Sequence, residues 1–159
     1  MVFPLPEAPT SATVCPGKYI VIISGDLSAV KASVEAAKVQ APEKVIDSFV
    51  LGNPHEAIFP AIYGAGAPEG VEALGVLESF SAATAVVAAD AAAKTALVDL
   101  IELRLARGMC GKSYLLITGS VSAVSAAIER AESEAAERGM LLDSSVIPRP
   151  DQKLWASIL

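Results

Sequence analysis

The stretch Lys18-Tyr-Ile-Val-Ile-Ile-Ser-Gly25 is repeated later in the chain as Lys112-Ser-Tyr-Leu-Leu-Ile-Thr-Gly119. Both stretches carry a short apolar run between a lysine and a glycine, which is typical of a buried β-strand. The similarity continues beyond the strands, since Ser28-Ala-Val30 falls on Ser122-Ala-Val124 in the same alignment. The chain therefore contains an internal repeat, and this repeat is the first guide to its fold.

Each copy of the repeat is predicted to continue as a helix and then as a second strand. Apolar residues recur at helical spacing in both copies, at Val30, Val34, Ala37 and Ala41 and then at Val124, Ala127, Ile128, Ala131 and Ala135. Short segments of β type follow over 45–51 and 141–147. After a two-residue insertion in the second copy, Asp47 falls on Asp143. This recurrence favours a structural role for the two carboxylates over paired acid and base chemistry.

Only the second copy is preceded by the elements that complete a domain. These are a strand that begins at Ala73, an alanine-rich helix over 82–94 and a strand over 98–105. The order β-α-β-β-α-β predicts an α+β fold of the split-βαβ, ferredoxin-like kind, in which helices cover an antiparallel sheet. We therefore predict one and a half copies of this unit.

The predicted boundaries are a partial unit over 1–62, a glycine-rich linker over 63–70 and a complete unit over 71–159. The partial unit holds only a third strand, a second helix and a fourth strand. No strand is predicted over 1–12, which contains three prolines. Residues 18–105 also hold all the elements of one domain in permuted order, but the unpermuted pairing is preferred because 107–112 is a short hairpin connection. Whether Met1 is the natural start stays open.

Composition excludes several classes of function. The chain of 159 residues has a formal charge of −6, one Trp and three Tyr, which argues against a nucleic-acid partner. The apolar stretch 81–101 is interrupted by Asp90, Lys94 and Asp99, so no membrane span is predicted. Residues 1–9 lack the basic and apolar regions of a secretory signal. The sequence thus predicts a cytosolic globular protein without a membrane partner.

Several phrases in the second copy together resemble the bacterial microcompartment shell-domain family. They are Ala73-Leu-Gly-Val-Leu-Glu78, Ala89-Asp90-Ala-Ala-Ala-Lys94, Gly111-Lys112 before a strand, and Val146-Ile-Pro-Arg-Pro150. In the first copy, Cys15-Pro-Gly-Lys-Tyr19 and Asp47-Ser-Phe-Val-Leu-Gly-Asn-Pro-His55 further resemble the tandem-domain members of the family found in propanediol-utilisation compartments.

The resemblance implies a non-enzymatic homotrimer that mimics a hexamer and tiles with itself and with other shell proteins in the bacterial cytoplasm. It also implies a central pore for small metabolites, lined by the loop between the second and third strands of each unit. Those loops contain Val14, Pro16 and Gly17 in the first copy and Met109, Cys110 and Gly111 in the second. By the same resemblance, Lys94 and Arg149 lie at the edge of the tile; without it, each is a solvated surface charge.

The resemblance makes Cys15 the ligand of an iron-sulfur cluster. Three copies of this loop around a threefold axis would present three thiolates, which could bind three irons of a four-iron, four-sulfur (4Fe-4S) cluster, and the fourth iron would need a non-protein ligand. Without the resemblance, Cys15 is a free cysteine in a loop. Cys110 is displaced by one residue in the alignment and is interpreted as a loop residue with a reactive thiol.

Two other kinds of function are alternatives to a shell protein. A small-molecule-binding or signalling module could share the same fold. A nucleotide-dependent enzyme would need a phosphate-binding loop around Gly111-Lys-Ser113, but Ala106 replaces the first glycine and Lys112 opens a strand where the motif needs a helix. The only histidine, His55, is interpreted as a turn residue.

Overall fold

The computed structural model of the chain describes residues 10–15, 17–68 and 70–159, the first of these ranges by backbone alone. The strands are β1 (Thr10–Cys15), β2 (Lys18–Ile22), β3 (Ala73–Ser79), β4 (Asp99–Arg104), β5 (Ser113–Gly119) and β6 (Leu141–Ile147). The helices are α1 (Leu27–Gln40), α2 (Ile58–Ile62), α3 (Ala82–Thr95), α4 (Val121–Glu137) and α5 (Gln152–Ile158), with a 3-10 turn over Pro42–Lys44.

The second copy and the elements before it form a four-stranded sheet. Its strand order is β4-β5-β3-β6, and every neighbouring pair is antiparallel. Leu77 of β3 lies opposite Leu115 of β5 on one side and Ser144 of β6 on the other. The α+β fold class is confirmed, and the pairing of β6 with β3 is the unpermuted one.

Helices cover both faces of this sheet. Because side chains alternate between the faces of a strand, Leu77 belongs to the main core with α3 and α4, whereas Leu74 packs with Ile101 and Trp155 of α5. Helix α4 approaches the sheet closely at Gly75, where an added Cβ would lie 2.7–2.8 Å from side chains of α4 and β5. A glycine at this position therefore sets how near the helix layer lies to the sheet.

The first copy begins with a β-hairpin that the sequence did not predict. Strand β1 pairs with β2 in antiparallel register, from Thr10 opposite Ile22 to Cys15 opposite Lys18. The expectation of no strand over 1–12 is therefore wrong for residues 10–12. Thr10, Thr13 and Val14 are β-branched and follow the last of the early prolines, so this segment is free to join a ladder.

The strand predicted over 45–51 is also wrong, since these residues form no strand. In the second copy the aligned segment is β6, and its pairing partner is β3. Among the described residues, no strand of the first copy takes the place of β3. The segment lies instead on the second unit, where Phe49 and Leu51 pack against the main core.

The predicted linker lies in close contact with strand β4 of the sheet. An added Cβ at Gly66 would lie 2.3 Å from the backbone oxygens of Leu100 and Ile101 in β4. Just before the linker, Ile58 and Ala61 of α2 are buried in the core of the second unit. The boundaries at 62 and 71 stay predictions. None of the helices in the described ranges has the length and hydropathy of a membrane span.

Candidate pore loops and edge residues

The two hairpins whose loops are predicted to line a pore contact each other in one chain. The Nζ of Lys18, the first residue after the hairpin turn of the first copy, donates a hydrogen bond of 2.6 Å to the backbone oxygen of Cys110. Cys110 lies in the loop between β4 and β5, together with Met109 and Gly111. The tips of two aligned hairpins are therefore joined by a charge-assisted hydrogen bond, which is stronger than a neutral one.

The second-copy loop is held in a tight conformation by its own backbone. Ala106 is buried at φ 59° and donates its N–H to the Ser113 hydroxyl at 3.0 Å. Met109 donates to the oxygen of Ala106, and Lys112 donates to that of Met109. Cys110 has φ 53°, a conformation that is uncommon for a residue with a side chain. The result is an exposed Cys110 at the tip of a well-defined loop.

Gly111 follows at φ 94°, and the Lys18 side chain lies against it. An added Cβ at Gly111 would be 3.0 Å from Nζ and 3.1 Å from Cδ of Lys18. Glycine therefore suits this position both for its backbone conformation and for the space it leaves. Lys18 entered the sequence analysis through the alignment of the copies and the Cys15–Tyr19 phrase, and neither indicated its contact with the second loop.

Cys15 is the last residue of β1 and lies opposite Lys18 in the hairpin. The side chains of Val14 and Cys15 and the whole of Pro16 lie outside the described residues, while Gly17 forms the turn with φ 78°. Among the side chains that the structure describes, no group of three or more His, Cys, Asp or Glu could hold a metal ion. The Cys15 side chain is not among them, so the iron-sulfur assignment stays a prediction.

Of the two predicted edge residues, Lys94 makes contacts within the chain. Its Nζ lies 2.6 Å from Oδ2 of Asp90 and 2.6 Å from the backbone oxygen of Asn53. Oδ1 of Asp90, a carboxylate on the buried face of α3, accepts from the N–H of His55 at 2.8 Å. The hydrogen bonds of Lys94 and Asp90 to Asn53 and His55 therefore connect the first copy to α3. Arg149 is exposed and makes no hydrogen bond or ion pair with a described residue.

Asp47 and Asp143, which align, have different surroundings. Oδ2 of Asp47 accepts from the hydroxyls of Ser81 and Thr84 at the N-terminus of α3, and Arg138 lies 3.6 Å from Oδ1. Asp143 is exposed and its Oδ1 accepts from the N–H of Ser144. The structural role predicted for Asp47 is thus a contact between the first copy and the second unit.

A polar cluster that the sequence did not indicate lies on β4 and β5. Glu102 forms an ion pair of 2.7 Å with Arg104 and accepts from the Tyr114 hydroxyl at 2.6 Å. Partial burial and this hydrogen bond raise the pKa of Tyr114 to about 12. Glu102 and Arg104 also line an open cavity of about 500 Å³, with Tyr63 and Arg107 at its wall.

The phosphate-binding loop is not formed. Lys112 pairs with Glu78 at 2.7 Å, and the residues that follow it form strand β5, not a helix. The helix N-terminus that would bind phosphate in such a loop is therefore missing at this place. His55 lies in a turn before α2, where its Nδ1 accepts from the N–H of Ala57 at 3.3 Å.

Comparison with known proteins gives consistent results. The model of the BMC domain matches residues 10–54 and 73–150. The bacterial microcompartment shell protein PduT of Citrobacter freundii is 37% identical over 149 residues, which cover 94% of this chain and 81% of that protein. A microcompartment protein from Desulfitobacterium hafniense DCB has a solved structure with a TM-score of 0.81 and 46% identity, covering 92% of this chain and 82% of that one.

A fused permuted hexameric shell protein from the RMM microcompartment shares the fold, with a TM-score of 0.53 and 24% identity over 75% of this chain and 62% of that one. The domain match spans more than half of the chain and includes both copies of the repeat. The chain therefore belongs to the BMC-domain family of bacterial microcompartment shell proteins.

Proposed function

We propose that three copies of the chain form a pseudohexameric tile in the shell of a cytoplasmic bacterial microcompartment, with the loops 14–17 and 107–111 around a central pore. The observation that carries the proposal is the hydrogen bond from Lys18 to the oxygen of Cys110. This bond joins the tips of two aligned hairpins within a chain. If each unit in a closed ring contacted the next unit in the same way, all the equivalent hairpin tips would lie near the axis of the ring.

The tile is proposed to act without catalysis, by admitting small metabolites through the pore. Its partners would be further copies and other shell proteins. A second candidate, a small-molecule-binding module, is favoured only by the cavity at Glu102 and Arg104; binding by a discrete monomer would support it.

Assembly can be tested by electron microscopy and sedimentation of the full chain and of Arg149→Ala. We expect sheets of trimeric tiles from the wild type and trimers without sheets from the variant, because the Arg149 side chain is exposed and unpaired within the described part of the chain. Lys153→Ala, which removes an exposed charge from the same end of the sequence, should keep the sheets. A wild type that is monomeric at micromolar concentration would contradict the tile, whereas sheets from Arg149→Ala would contradict only the edge assignment.

The pore is further proposed to hold one 4Fe-4S cluster per trimer, bound by Cys15 from each chain. Its support is the position of Cys15 at the end of β1, at the hairpin tip that contacts the second loop. Such a cluster would supply electron transfer across the shell, and the residues of this chain would hold it on the axis.

Anaerobic reconstitution with iron and sulfide tests the cluster. We expect visible absorbance and about four irons per three chains, as a 4Fe-4S cluster shared by three subunits requires. Cys15→Ser should abolish both signals, and Cys110→Ser, the matched change in the other loop, should keep them. Equal iron loading of wild type and Cys15→Ser would refute the assignment and leave a pore without a redox centre.

A further inference from the structure

The contact between Lys18 and the second-copy loop has two parts. The ammonium donates to the oxygen of Cys110, and the side chain lies against Gly111, whose lack of a Cβ leaves room for it. In the repeat, Lys18 falls on Lys112 and Gly111 falls on Gly17. The chain therefore carries a second lysine and a second glycine of the same kind, in the opposite copies.

The second pair is not in contact within one chain. Gly17 has φ 78°, close to the 94° of Gly111, but no heavy atom among the described residues lies within 4 Å of the position of its Cβ. Lys112 points to its own unit, where it pairs with Glu78. A single chain thus has, in the first copy, a glycine turn with no described side chain against Gly17. In the second copy it has Lys112, which aligns with Lys18.

We propose that Lys112 of one copy of the chain lies against Gly17 of the next copy and donates a hydrogen bond to the backbone of that hairpin turn. This inference rests on the proposed trimer and names the residues that close it. Around the ring, Lys18 contacts within chains would alternate with Lys112 contacts between chains. The donor belongs to the second copy of the repeat and the acceptor turn to the first, so the contact is head-to-tail, as an interface that closes into a ring requires.

The ion pair with Glu78 does not prevent this contact. An ammonium group has three N–H donors, and the Lys112 side chain is 42% exposed, so one donor can stay on Glu78 while another reaches a neighbouring chain. Glu78 also restrains the lysine before assembly, which lowers the conformational entropy lost when the contact forms.

The test is the concentration dependence of trimer dissociation for the full chain, measured by sedimentation. Lys112→Met keeps the length of the side chain and removes its donors. Because hydrogen bonds to charged groups are among the stronger ones, we expect the midpoint concentration for trimer formation to rise by roughly tenfold or more. Lys153→Met, a matched change at an exposed lysine away from the loops, should leave the midpoint unchanged.

Glu78→Gln tests whether the effect of Lys112→Met comes from the contact between chains or from the ion pair with Glu78 within the unit. It removes the charge beside Lys112 but keeps the ammonium, so the trimer should form at nearly the wild-type concentration. A trimeric Lys112→Met with an unchanged midpoint would overturn the inference and leave the tile intact. Equal weakening by Glu78→Gln and Lys112→Met would also overturn it, since the effect would then belong to the ion pair. A wild type that forms no trimer would overturn both proposals.

Discussion

Helices α1 and α4 occupy aligned positions in the two copies of the repeat, yet only one of them is buried. Val124, Ile128 and Ala131 of α4 are at most 3% exposed, whereas α1, which carries Val30, Val34 and Ala37 at the aligned positions, has no buried residue. The difference lies in the neighbours, because α4 packs on α3 and β3. An apolar stripe thus indicates which face of a helix can be buried, but its burial needs a partner element.

The aligned strands show the same contrast. Leu115 of β5 is fully buried between two strands and under two helices, while Val21, its counterpart in β2, is 63% exposed. Strand β2 pairs only with β1 in the described structure, so one of its edges is open. Open edges with apolar side chains favour association with other chains, which agrees with a protein that assembles.

The largest effect is expected from equivalent truncations in these two strands. Leu115→Ala should lower the free energy of unfolding by about 3 kcal/mol, since it removes buried methyl groups and leaves a cavity. Val21→Ala should change it by less than about 0.5 kcal/mol, because the side chain is largely in solvent. Urea denaturation at a fixed protein concentration measures both. Similar losses for the two variants would show that the first copy has a core of its own.

A smaller effect is expected at the aligned aspartates. Asp47→Asn weakens the acceptor for the hydroxyls of Ser81 and Thr84 and removes the ion pair with Arg138, so we expect a loss of about 1 kcal/mol. Asp143→Asn, which affects only an exposed carboxylate, should be neutral within about 0.5 kcal/mol. The same urea titrations measure this difference. A neutral Asp47→Asn would mean that the first copy adds little to the second unit through this contact.

Local patterns in the sequence were enough to predict the α+β fold, because the four strands of 73–147 find all their pairing partners within that range. The same reasoning predicted the tight second loop and its role as a hairpin. It could not predict the absence of a strand over 45–51, since the β pattern there is the same as in β6 and only the missing neighbour differs. Local propensity is overridden when no paired strand is available.

The sequence indicated which loops and charges to examine as a candidate site, but not the contacts between them. The loops around Cys15 and Cys110 were identified as equivalent, and the contact between them through Lys18 was not. The resemblance implies an outer edge for Lys94, and the structure adds that its Nζ bonds within the chain to the backbone oxygen of Asn53 and to Asp90. Contacts between the copies depend on how the copies dock, and the sequence pattern within each copy does not indicate this arrangement.

The close approach of Gly66 to β4 fixes where the connection before β3 lies on the second unit. Since a Cβ there would collide with main-chain oxygens of β4, this is a contact between two backbones, and no change of side-chain rotamer could make room for a larger residue. A residue with a side chain at this position would have to displace either the connection or β4. In the proposed tile, all three copies would carry the same displacement.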